Sequence, residues 1–176
     1  MRHVIPLTAA ALLISACMES PTQPAEAPSF GIASGQDLPF HSSWVSQPGD
    51  PGAVECAEGQ FPGRSLLEGK ATHMGKITGD AWACVAYTGP LSLQSLSAGV
   101  LLTAANGDEV RLEMDPGDPQ LWEVAFTEAG VVITSAGGFL VVGGTGRFDG
   151  ATGRVRLASR KVGAGDTTAT LDGTIS

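Results

Sequence analysis

The chain has 176 residues, with 10 Lys and Arg against 18 Asp and Glu, a formal charge of −8. That balance argues against nucleic acid as a partner, because binding phosphate needs clustered positive charge. The length suits one domain plus a tail, and such a domain buries a core without metals.

At the N-terminus, Arg2 precedes an apolar run from Val4 to Ala16, and the small residues Ser15 and Ala16 directly precede Cys17. The run is shorter than the ~20 residues that span a bilayer. It resembles a bacterial lipoprotein signal, in which lipid is attached to the cysteine thiol and the chain is cut just before it. On this reading residues 1–16 are the signal, Cys17 carries the acyl chains, and the acylated N-terminus makes the membrane a partner. Two or more acyl chains give stable anchoring, so the expected location is the cell envelope, facing the periplasm or exterior. Residues 17–36, which include Pro21, Pro24 and Pro28, read as a lipidated flexible linker.

Residues 37–60 mix Phe40 and Trp44 with the turn-rich Gln47-Pro48-Gly49-Asp50-Pro51-Gly52 and read as an irregular segment packed on the domain. The domain itself is expected at residues 61–176. Cys56 and Cys84 are the two cysteines left after Cys17, an even pair in a compartment where disulfides persist, and they are expected to bond to each other. Only His41 and His73 could join them as zinc ligands, and the spacing fits no zinc pattern, so no metal is expected.

From about residue 60 the pattern becomes short segments alternating with period two, separated by glycine turns. In Glu109–Met114, Val110, Leu112 and Met114 point one way and the charged residues the other. This segment follows Val100–Ala105 across Asn106-Gly107, a dipeptide that favours a tight type I′ turn. Trp122, Val124 and Phe126 share a face; Val155 and Leu157 oppose Arg154, Arg156 and Arg160; Ala169, Leu171 and Ile175 alternate with polar residues. No stretch beyond the signal sustains a helical period. The expectation is an all-β domain of seven or eight strands, a sandwich or a closed barrel, with hairpins in sequence favouring the up-and-down barrel.

The segment Val141-Val142-Gly143-Gly144-Thr145-Gly146-Arg147-Phe148-Asp149-Gly150-Ala151-Thr152-Gly153 fails both nucleotide-binding patterns. Counting from Gly144, the sixth place is Asp149 rather than glycine, and no Gly-Lys-Ser/Thr is present. It reads as a tight corner, with Phe148 plugging one end of the core and Arg147 satisfying carbonyls there. This glycine motif (Gly143, Gly144, Gly146, Phe148, Gly150 and Gly153) resembles that of the dirigent and allene oxide cyclase families. It is closer still to secreted bacterial β-barrel proteins of the same superfamily. In those, a Thr-His-Leu-Gly segment opens the domain, as Thr72-His73-Met74-Gly75 does here, and a Gly-Thr-Ile strand ends it, matched by Gly173-Thr174-Ile175. The resemblance covers residues 65 to 176 and implies a single eight-stranded antiparallel barrel of the calycin or lipocalin kind. Allene oxide cyclases bind a fatty-acid epoxide in the barrel, and dirigent proteins steer the coupling of phenoxy radicals. No catalytic residue of either family matches a position here.

Among individual residues, His73 reads as a histidine held by a backbone carbonyl near a barrel end, with a ligand role as the sharper alternative. Trp82 and Trp122 are candidates to line a ligand cavity. The carboxylates Asp108, Glu109, Glu113, Asp115 and Asp118 read as a solvated hairpin tip, since Asp115-Pro116-Gly117-Asp118 offers calcium only two ligands. No Gly-x-Ser-x-Gly elbow is present. The expected protein is therefore a lipid-anchored, non-catalytic barrel that binds a small apolar ligand or an envelope partner, with no cofactor. An isomerase or cyclase acting on a hydrophobic substrate, and a structural envelope module, are the alternatives.

Overall fold

The computed structural model describes residues 36–176, so Cys17, the signal and nearly all of the linker lie outside the described residues. Nine strands follow in order: β1 (Leu38–Pro48), β2 (Phe61–Ala71), β3 (Gly75–Gly89), β4 (Ser92–Ala104), β5 (Glu109–Met114), β6 (Leu121–Thr127), β7 (Gly130–Gly144), β8 (Gly153–Val162) and β9 (Thr167–Ile175). Every pairing is antiparallel. The ring β1-β2-β3-β4-β5-β7-β8-β9 closes on itself, because β1 pairs with both β2 and β9 while β3 pairs with both β2 and β4. This is a closed eight-stranded antiparallel barrel, which leaves no edge for another chain to extend.

The ninth strand, β6, continues the line of β5. β4 pairs with β6 through Ser92–Gln94 and with β5 through Gly99–Thr103. β7 likewise pairs with β6 through Gly130–Ala136 and with β5 through Phe139–Gly144. One wall position is thus shared by two short strands, and residues 115–120 bridge the break between them.

The barrel has unlike ends. Phe40, Ile77, Leu102, Val110, Leu171 and Ile175 come together at one end, all almost wholly buried. Phe148 and Met74 fill that end from the turns. At the other, where β2 and β4 begin and β6 ends, Phe61, Tyr87, Leu91 and Phe126 are exposed.

The barrel starts earlier than the sequence pattern indicates: Leu38–Pro48 is a full strand between β2 and β9, and only residues 49–60 keep an irregular path. The inward face of β1 carries Phe40, Ser42, Trp44 and Ser46, so buried serines interrupt the apolar alternation, while Val45 points outward. The Thr72–Gly75 segment accordingly does not open the domain but forms the β2–β3 turn.

The β4–β5 turn also departs from expectation. Ala104 N–H donates to Asp108 O and Gly107 N–H to Ala104 O, enclosing three residues rather than two. Gly107 has φ 89°, and Asn106 does not share its positive φ; a type I′ turn needs both. Instead, the Asn106 side chain binds the Asp108 backbone N–H and carboxylate, the local competition typical of Asn in turns.

Cys56 and Cys84 are joined by a disulfide with Cα atoms 5.6 Å apart. It pins the segment before β2 to the outer face of β3.

Candidate functional site

The glycine motif builds the packed end. A Cβ at Gly144 would come within 2.1 Å of Glu109 O and 2.7 Å of Phe148 Cβ, so glycine is required for Phe148 to enter the core. Arg147 does not serve carbonyls as expected. Its Nε donates to Asp108 Oδ2 at 2.6 Å, and its guanidinium stands over the Phe148 ring. The hydrogen bond from Arg147, and next that from Asn106, hold the Asp108 carboxyl below the usual carboxylate range.

The other acidic residues do not form one solvated tip. Asp115 is buried, its Oδ2 lying 2.7 Å from Arg154 and its Oδ1 accepting from Gly117 N–H. Asp118 accepts from Arg156 at 2.8 Å. The reason is topological: the break between β5 and β6 lays residues 115–118 over Gly138 of β7, beside the arginines of β8. No group of three or more potential metal-ligating side chains occurs among the described residues.

His73 sits in the β2–β3 turn with φ 63°, and its Nε2 is 3.1 Å from Pro39 O. It is therefore at the packed end, bound to a backbone carbonyl. Trp82 projects from the outer face of β3, where its indole lies against Gly99. Trp82 nonetheless counts among the residues lining the barrel cavity, as does Trp122, whose indole N–H is bonded inside it.

That interior opens at the unpacked end as a cavity of about 360 Å³. Its deeper walls are apolar, from Trp44, Leu67, Val100, Phe139, Leu157 and Ala169. One side is polar and continuous. Trp122 Nε1 donates to Ser95 Oγ (3.0 Å), Ser95 Oγ donates to Gln120 Oε1 (3.0 Å), Gln120 Nε2 donates to Ser135 Oγ (2.9 Å), and Ser135 Oγ lies 2.8 Å from Ser159 Oγ. Gln120, Trp122 and Ser159 face the cavity, and Lys161 borders it.

Each part of this chain has a local cause. A register shift at Cys84/Val85 turns Ser95 inward and leaves Leu96 outside. Gln120 ends the bridge between β5 and β6 and fits because Gly137 has no side chain: a Cβ there would be 2.4 Å from Gln120 Cα. Ser159 and Lys161 continue the inward face of Val155 and Leu157, two and four residues on. Sequence reading missed these four positions, although the alternation in β8 carried the signal for the last two.

A larger hollow of about 700 Å³ lies over the outer wall of β1, β2, β8 and β9. It is a shallow surface depression, whereas the barrel cavity is walled by strands and carries the polar chain, so the cavity is the candidate site.

The fold and site together define an up-and-down barrel with one plugged end and one end holding a cavity sized for a small ligand. No family model, no curated protein and no solved structure matches the chain.

Proposed function

We propose that this protein is a lipoprotein anchored through Cys17 whose barrel binds one small apolar molecule at its open end without transforming it. The cavity carries the reading: about 360 Å³ lies within the range of small-molecule sites and is mostly apolar with a few aligned polar groups. General acid–base chemistry needs a titratable group within reach of the reacting proton. Among the described residues no carboxylate, histidine or tyrosine lines the cavity, and His41 and His73 lie at the opposite end. The titratable amine at its border, Lys161, has no acidic or imidazole group beside it in the lining to complete an acid–base pair. These features favour holding a ligand over isomerising or cyclising it. An eight-stranded barrel is also the fold implied by the resemblance of the glycine motif to the allene oxide cyclase and dirigent families.

The test is mass spectrometry of the full chain and its Cys17→Ser variant, expressed with export and purified gently. Under native conditions both should carry extra mass that leaves on denaturation. Acyl mass on the N-terminal peptide should appear in the wild type alone. A bare barrel that takes up no apolar compound would overturn the ligand reading, and an unacylated wild-type N-terminus would overturn the anchor.

A further inference from the structure

The hydrogen-bond chain in the cavity wall has a direction, and the direction identifies what it serves. Trp122 Nε1 can only donate, so Ser95 accepts and its own proton goes to Gln120 Oε1. The reverse amide orientation would give Ser95 two donors and strand its hydroxyl proton in a fully buried site. Gln120 Nε2 then donates to Ser135, which is also buried and has only Ser159 to receive its proton. The Ser159 hydroxyl proton is left over, on a side chain that faces the cavity. Each bond in such a chain polarises the next, which strengthens the terminal donor.

Lys161 lies two residues further along the same face of β8, about 7 Å away toward the mouth. No Asp or Glu comes within ion-pair distance of it among the described residues. The other cation bordering the cavity, Arg64, is held in a two-pronged pair with Asp80. An apolar space with one oriented hydroxyl donor, one uncommitted ammonium and no carboxylate suits a ligand with an anionic acceptor at one end.

We propose that Ser159 and Lys161 form a carboxylate subsite, so that the cavity takes a compact apolar molecule ending in a carboxylate, its tail toward Phe139 and Leu157. This rests on the cavity being a ligand site, and the test separates the two claims. The full chain is titrated with octanoate, 1-octanol and octylammonium, read by NMR at the Trp122 indole and the Lys161 side chain. Octanoate should bind at least tenfold more tightly than octanol, and octylammonium most weakly. Lys161→Met keeps the aliphatic stem, so it should bring octanoate down to the octanol affinity while octanol is unchanged. Ser159→Ala should weaken octanoate severalfold. Equal binding of octanoate and octanol by the wild type, or an octanoate preference that survives in Lys161→Met, overturns the carboxylate subsite and leaves the apolar cavity standing. Failure of all three probes to bind overturns both claims.

Discussion

Arg147 and Asp108 show how one residue pair can bind a local motif to global stability. Arg147 connects the glycine corner to the β4–β5 turn and covers the ring of Phe148. Because hydrogen bonds from Arg147 and then Asn106 lower the Asp108 carboxyl, their contribution is fully present above the unfolded carboxyl value. It is lost as pH falls through the lower, folded value. Arg147→Met should therefore cost about 1 kcal/mol at pH 7. The gap to wild type should begin to close below about pH 4, where an unfolded Asp takes up its proton. Urea midpoints for both proteins at pH 7 and pH 3 measure this; an equal gap at both values would mean that Arg147 acts by packing alone. Among single residues, Phe148 was legible from sequence as a plug because a large aromatic stands amid glycines. Arg147's partner was not, because Asp108 is 39 residues away and is brought near only by the β5–β7 pairing.

At the scale of elements, β1 has more consequence than its sequence suggests. Its backbone satisfies one edge of β2 and one edge of β9, and its buried Phe40 and Trp44 belong to the core. A chain beginning at residue 55 should lose the cooperative unfolding transition and aggregate, since two edges and a strip of core are uncovered. A chain beginning at residue 36 should unfold cooperatively, and thermal denaturation followed by circular dichroism compares the two. If the shorter chain melts like the longer, β1 is an accessory strand and the barrel closes without it. The disulfide acts on a neighbouring element. Closing its loop contributes about 3–4 kcal/mol in the chain-entropy model, and it holds the irregular segment before β2 against the wall rather than holding the barrel shut. The alternation of β5, β8 and β9 was readable because each has one charged or threonine-rich face toward water. β1 was not, because serines on its inner face and Val45 on its outer face erase the contrast.

For the molecule as a whole, the two barrel ends divide stability from binding. The packed end holds Phe40 and Phe148, two of the largest fully buried side chains. The chain enters β1 at Leu38 and finishes β9 at Ile175 at this same end, opposite the cavity mouth. Phe148→Ala should accordingly lower stability by about 3–5 kcal/mol through the void it leaves. Its octanoate affinity, measured well below the melting temperature, should remain within about twofold of wild type. A much larger loss of affinity would show that the two ends are coupled through the core.

The all-β class, the strands whose faces differ in polarity, the cysteine pair and the glycine corner were legible in the order of residues, since each depends on spacing within a few residues or on counting cysteines. Which strand closes the ring, that β6 extends β5, and that Ser95, Gln120, Ser135 and Ser159 meet in one line all emerge only when the strands pair. Those outcomes depend on register between strands far apart in the chain, such as Leu38 of β1 opposite Ile175 of β9. They also depend on a bulge that inverts the facing of Ser95. Alternation along a strand states that two faces exist, and only the partner strands decide which groups on the inner face touch.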